Sequence, residues 1–159
     1  VSTDFGDYFV WGEVEPKKDY SWDTYKYGIE DNLTKYNRSD NKTVLDPEDD
    51  AATVNWGNGW RMPTKIELME LADNATVVYT SYNNVDGVRF IGPNGNCIFV
   101  PFAGARNENG KWLRGEKNFL WSSVIADNWE YWRSHSLEWG DVYDREAYWG
   151  LSIRAVRGK

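Results

Sequence analysis

The sequence predicts an α+β fold with two short helices and small antiparallel sheets. Three observations predict it. Two helix starts lie in the first half, at Asp46–Ala52 and Arg61–Leu71. Strand-length apolar runs dominate from residue 76 onward. The strands follow the helices without βαβ alternation, which points to antiparallel pairing.

Residues 1–28 are aromatic and irregular, and read as a short strand at 8–11 and then a long loop. Residues 29–46 are polar and loop-like. Their Asn-x-Ser/Thr sequons at Asn32, Asn37 and Asn41, with a fourth at Asn74, form a pattern that polar loops reach by chance. Pro47 suits a first helical turn, and Glu48, Asp49 and Asp50 suit its positive end. The same acids have the chemistry of a hard-cation site such as Ca²⁺; the dipole reading is the simpler one.

Thr64 and Glu67 match a capping box, and Ile66, Met69 and Leu71 are expected to share a buried side, with Leu68 on its flank. Val77-Val78-Tyr79 reads as a strand. Gly87–Ile91 and Cys97–Val100 read as a hairpin around Asn94-Gly95. Further strands are expected at Phe119–Ser122, Ser136–Trp139 and Leu151–Val156. The last should sit inside the fold, with Ile153 and Val156 contributing to burial.

Length fits one domain over 1–159. The net charge is −7 and no Lys/Arg run occurs, so neither nucleic acid nor an anionic membrane is the expected partner. No apolar stretch suits direct membrane insertion. The single cysteine, Cys97, excludes an internal disulfide and reads as a small core residue. No nucleotide-binding glycine loop, Gly-x-Ser-x-Gly elbow or Cys-x-x-Cys is present, and the lone His135 cannot build a multi-His metal site. The chain is therefore expected to be non-catalytic and to need no cofactor.

Aromatic residues make up 16% of the chain, more than a small core absorbs easily, so some should lie on the surface. Five of the ten tryptophans fall between Trp121 and Trp149. Ala126–Arg133 has neither helix nor strand period and reads as a loop, the kind of segment that carries recognition on a rigid scaffold. Within it, Asp127, Asn128, Trp129, Glu130, Tyr131, Trp132 and Arg133 are candidate ligand contacts. If Leu137 and Trp139 point inward, then Ser136 and Glu138 point outward. His135, Asp141, Tyr143, Asp144, Arg145, Tyr148 and Trp149 would join the same face. Rings set among charges are the make-up of binding hot spots. Trp11, Trp56, Trp60, Trp121 and Trp139 are assigned to the core; Trp129, Tyr131, Trp132, Tyr148 and Trp149 to the surface.

Three segments carry a resemblance. They are Gly6–Glu13 with Tyr20-Ser21-Trp22, Asp49–Ala52 with Trp56–Thr64, and Trp121-Ser122-Ser123 with Gly150–Arg157. In order and spacing the chain resembles the Fibrobacter/Bacteroidales major paralogous domain group. That group is similar to the variable proteins of diversity-generating retroelements and to the formylglycine-generating-enzyme branch of the C-type lectin fold. The resemblance implies a C-type-lectin-like fold whose C-terminal third forms the ligand face, with Trp121-Ser122-Ser123 and Gly150–Arg154 as the scaffold that brackets it. It also implies a strand upstream of Gly6, so the chain is expected to be one domain of something longer. The partner so implied is a protein or glycan ligand on a cell surface, met by a domain that a larger protein displays on a bacterium or a phage tail. Retroelement mutagenesis of Asn codons yields neither Trp nor Glu, so Trp129, Glu130, Trp132, Glu138 and Trp149 would be fixed or of other codon origin. The active-site cysteines of that enzyme branch are not matched by one Cys97, and the lectin sugar motif Glu-Pro-Asn is approached only by Glu15-Pro16-Lys17.

Overall fold

The structure, a computed structural model, describes residues 2–57, 59–128 and 130–158. Tyrosines, more than long elements, hold its N-terminal part. β1 (Phe9–Val10) is followed by β2 (Gly28–Ile29) and β3 (Asn32–Leu33), a minimal hairpin. Tyr20 donates its hydroxyl to the Tyr8 carbonyl at 2.9 Å, and Tyr25 to the Trp11 carbonyl at 3.1 Å. The rings of Trp11, Tyr36, Tyr27 and Tyr25 meet edge to face in series, 5.0–6.0 Å apart. A large ring with a polar tip fills volume while satisfying loop carbonyls, so these loops pack without a ladder.

A 3₁₀ turn at Pro47–Asp49 leads into α1 (Ala51–Trp56). Asp50 caps α1 by accepting from the Thr53 amide at 3.0 Å. After β4 (Trp60–Arg61) comes α2 (Lys65–Asn74), which carries the full capping box: the Glu67 amide donates to Thr64 Oγ1 at 3.2 Å and the Thr64 amide to Glu67 Oε2 at 2.9 Å. Its buried stripe differs from expectation. Leu68 is buried, with Leu71, Ala72 and Ala75 packed beside it, whereas Ile66 is 74% exposed. Spacings of three, four and seven from Leu68 define that stripe, and Ile66 and the exposed Met69 fall off it.

β5 (Thr76–Tyr82), β6 (Val85–Ile91) and β7 (Cys97–Pro101) form an antiparallel sheet in that order. Asn83 and Asn84, both at positive φ, make the two-residue turn between the first pair. The expected hairpin at Asn94-Gly95 is the turn between the second pair, closed by the Gly92 amide on the Asn96 carbonyl at 2.8 Å. Cys97 is exposed, against expectation, because it opens β7 beside the exposed residues 93–96 rather than under the covered part of the sheet.

The chain then adds β8 (Ala105–Asn107), β9 (Gly110–Trp112), β10 (Phe119–Ile125), β11 (Arg133–Glu138), β12 (Asp141–Glu146), β13 (Gly150–Leu151) and β14 (Val156–Arg157). β10, β11 and β12 form a second meander, and β13 lies between β1 and β8. β14 pairs with β4. The expected single strand at Leu151–Val156 is thus divided between two sheets. Leu151 is fully buried, while Ile153 and Val156 are half-buried. Gly150 is required where β13 crosses Tyr20, since a Cβ there would lie 2.3 Å from that ring.

Apolar clusters cover both faces of the β10–β12 sheet. Leu120 and Leu137, paired across strands, pack with Leu68, Val88 and Phe90 on the α2 side. Phe119 and Trp121, which alternate with Leu120, join Trp11, Tyr36 and Leu151 on the other side. The architecture is α+β, with two helices and small antiparallel sheets.

Candidate functional site

β10 bulges at its centre. Trp121 pairs with Ser136 and Ile125 with Ser134, so three residues on β10 face one on β11. The freed backbone ties the sheet to distant segments. The Ser123 amide donates to the Pro63 carbonyl at 2.8 Å, and the Leu45 amide to the Ser123 carbonyl at 2.9 Å. Trp11 Nε1 reaches the Ser122 carbonyl at 2.9 Å and Trp121 Nε1 the Phe9 carbonyl at 2.7 Å. Of the loop expected at Ala126–Arg133, residues 126–128 and 130–132 leave this anchored strand without regular structure, whereas Arg133 opens β11. Asp127 and Asn128 are exposed, Glu130 and Trp132 half-buried, and Tyr131 buried. Trp129 lies outside the described residues.

The single outer face expected of this segment is not formed. Because the sheet is covered on both sides, Ser134, Ser136 and Glu138 are 0% exposed and His135 is buried. Strand alternation then divides the candidates between two sides. Arg133, His135 and Asp144 lie toward α2, where Arg133 pairs with Asp144, and Asp127 pairs with Lys65. His135 Nε2 stands 3.4 Å from Asp127, and its pKa is lowered, chiefly by burial and then by the Lys65 charge. Lys65, Asp127, His135 and Asp144, with Asp73, Asp141 and Tyr143, line a groove of about 260 Å³.

On the opposite side Glu138, Tyr143 and Arg145 are brought together. The buried Glu138 carboxylate accepts from Arg145 Nε and Nη2, both at 2.7 Å, from Lys117 Nζ at 2.8 Å and from Ser136 Oγ at 2.9 Å. Burial alone would push its pKa up; the bonds from Arg145 and Lys117 outweigh that, and the carboxyl lies below its ordinary range. Rings surround the two cations. Arg145 lies 5.3–5.6 Å from the centres of Trp112, Phe119 and Trp149, and Lys117 lies 5.1–5.6 Å from those of Phe119, Trp139 and Tyr143. Trp112 and Trp149 pack edge to face at 5.2 Å, and Trp139 meets Tyr79 at 6.5 Å. Trp112 is 37%, Trp139 47% and Tyr143 50% exposed.

Trp139 reverses its expected place in the core. Glu138 pairs with Asp141, so Trp139-Gly140 is a two-residue hairpin tip. There Trp139 holds φ at 54°, a conformation bulky side chains rarely adopt. Its amide is fixed by Asn118 Oδ1 at 3.0 Å. Trp56 and Trp60, also assigned to the core, are exposed near the α1 end. Of the rings expected outside, Tyr131 and Tyr148 are buried and Trp132 and Trp149 are half-buried. Tyr148 packs 5.0 Å from Trp22 and donates to Glu108 at 2.5 Å, which a core tyrosine with a reachable carboxylate would do.

Sequence reasoning missed Trp112, Lys117 and Tyr79. Trp139-Gly140 between two strand-like runs was a turn signal for the hairpin tip; Lys117 carried none. The acidic cluster also takes a definite form. Lys35 Nζ sits 2.8 Å from Asp46, 3.4 Å from Glu48 and 2.6 Å from Asp49, where a bound cation would place its charge. Asp49 further accepts from Tyr27, Tyr36 and Lys26.

Compared with known protein families, curated proteins and solved structures, the chain matches none. Among the described residues no helix is long and apolar enough to cross a membrane.

Proposed function

We propose that this chain is a non-catalytic recognition domain of C-type-lectin-like fold, which binds a protein ligand on a cell surface. The ligand face is the aromatic arc Trp112, Trp149, Tyr143, Trp139 and Tyr79 around the Lys117–Glu138–Arg145 cluster. The observation that carries the reading is Trp139: a large ring, about half exposed, held on a left-handed backbone at a hairpin tip. Backbone strain of this kind persists where the surrounding structure fixes it, and it gathers at ligand-binding sites. Buried ion pairs beneath the rings fix their spacing, and Trp, Tyr and Arg are the residues that dominate binding hot spots.

The resemblance to retroelement variable proteins supports the part of this face that Trp139, Tyr143, Arg145 and Trp149 supply; Tyr79, Trp112 and Lys117 lie outside the segment it brackets. In that reading the domain is diversified and displayed on a bacterium or a phage tail. A reverse-transcriptase gene beside this one, with a near-copy of its 3′ end differing only at adenines, is the expected gene neighbourhood. A glycan ligand is the second reading, favoured by exposed tryptophan and tyrosine rings next to hydrogen-bonding charges.

The test is binding of the purified chain to arrays of cell-surface proteins and of glycans. Protein hits that disappear with Trp139→Ala and with Tyr143→Ala are expected. Hits confined to glycans would favour the second reading. Hits that survive both substitutions would remove the face from consideration.

A further inference from the structure

Two cations share one carboxylate at the site. Lys117 and Arg145 both bond Glu138, whereas Asp144 and Glu146 act on Arg145 through space without a direct ion pair, on a protein of net charge −7. Asp141, which pairs with Glu138 across the ladder, is exposed and lines the groove beside α2 together with Tyr143.

Donors also remain. Lys117 has three N–H groups, and its one oxygen partner among the described residues is Glu138 Oε1 at 2.8 Å. Arg145 spends Nε and Nη2 on Glu138, so among the described residues the two N–H groups on Nη1 have no oxygen partner. Both side chains reach solvent in part, Lys117 by 16% and Arg145 by 24%. Apolar rings flank them on either hand. An ammonium and a guanidinium held half-desolvated among rings attract an anion more strongly than the same groups in open water.

Trp112, Trp139, Tyr143 and Tyr79 are each more than a third exposed, which suits the surface of a protein better than an enclosed small molecule. We propose that the ligand enters this face with an Asp or Glu side chain, placed between Lys117 and Arg145, and with apolar residues beside it on Trp139, Tyr143 and Trp112. The inference rests on the recognition reading given above and names the chemistry of its partner. Glu138 is then a positioning residue. It holds the two cations at a fixed separation and does not touch the ligand.

The experiment selects random short peptides, displayed on phage, against the whole wild-type chain. Selected peptides are expected to share an Asp or Glu flanked by aromatic or aliphatic residues. Changing that acid to its amide should weaken binding to the wild type about tenfold, but to Lys117→Met less than about twofold, because the pair is then already broken. Affinity of the acidic peptide should fall as salt rises and that of its amide form should not, a readout that needs no variant. Peptides that bind with no acid, or whose acid is replaced without loss, overturn the inference, as does a selection that yields no binder. If binding depends on Trp139 and Tyr143 but not on the acid, the face stands and only the acidic partner is wrong. If it depends on neither ring, the recognition reading fails with it.

Discussion

At the scale of single residues, Trp139 and Glu138 carry the site. Trp139 has a left-handed backbone that glycine adopts freely and a β-branched residue does not. Trp139→Gly is expected to change stability by less than about 1 kcal/mol, since relief of the backbone offsets the lost ring contacts. Trp139→Val should be less stable than the glycine variant by about 1–3 kcal/mol. Thermal unfolding of the two proteins decides this, and equal melting temperatures would show that no strain is stored there.

Among the described residues, Glu138 is the carboxylate that pairs with both cations, so Glu138→Gln leaves Lys117 and Arg145 without their shared partner. Removing one partner of a buried pair costs about 3–5 kcal/mol, and the partial exposure of both cations sets the expectation near the lower end. Its folded pKa is depressed, so its stabilisation is present above the unfolded value of about 4.3 and is lost as pH falls through the folded value. The wild type should therefore lose more stability than Glu138→Gln on acidification below about pH 5. Parallel acid titrations followed by circular dichroism would show the two curves converging.

At the scale of elements, local chemistry was legible and sheet environment was not. The capping box of α2 and the Asn94-Gly95 hairpin depend on neighbours in sequence and are found where the sequence puts them, and the loop expected at Ala126–Arg133 ends one residue early because Arg133 opens β11. The inward and outward assignment of β11 failed because alternation tells which residues share a side, not whether that side meets solvent. α2 covers one side of β11 and the aromatic cluster the other, so the whole stretch Ser134–Glu138 is buried. For the same reason Ser136 and Glu138 became the floor of the site instead of its surface.

The C-terminal segment shows a similar limit. Leu151–Val156 alternates like one strand, but it serves two sheets, because β13 must fit between β1 and β8 while β14 reaches β4. Deleting residues 150–159 removes the fully buried Leu151 and the pairing partners of β1, β4 and β8. The truncated chain is expected to lack a cooperative thermal transition, and an unchanged melting temperature would contradict the topology.

At the scale of the whole molecule, the abundance of aromatic residues has two outlets. The N-terminal tyrosines and Trp11 spend their rings on holding loops together, with hydroxyls and Asp49 closing the polar ends. The second group collects around Lys117 and Arg145 and stays partly exposed. Composition alone announced a surplus of rings but not which ones, because the decision rests on contacts between residues as distant as Trp112 and Arg145. The site is assembled from β5, β9, the segment before β10, the β11–β12 hairpin and Trp149, and no single stretch of sequence contains it.

The central claim is that these exposed rings bind a ligand and contribute little to folding. The most direct measurement takes a ligand captured by the wild type and compares its affinity and the melting temperature for Trp139→Ala, Tyr143→Ala and a control, Ile66→Ala on the exposed side of α2. The expected result is a loss of at least about 2 kcal/mol in binding for each ring variant, with melting temperatures close to wild type and the control unchanged in both. Binding unaffected by the two ring variants, or weakened equally by Ile66→Ala, would contradict the account.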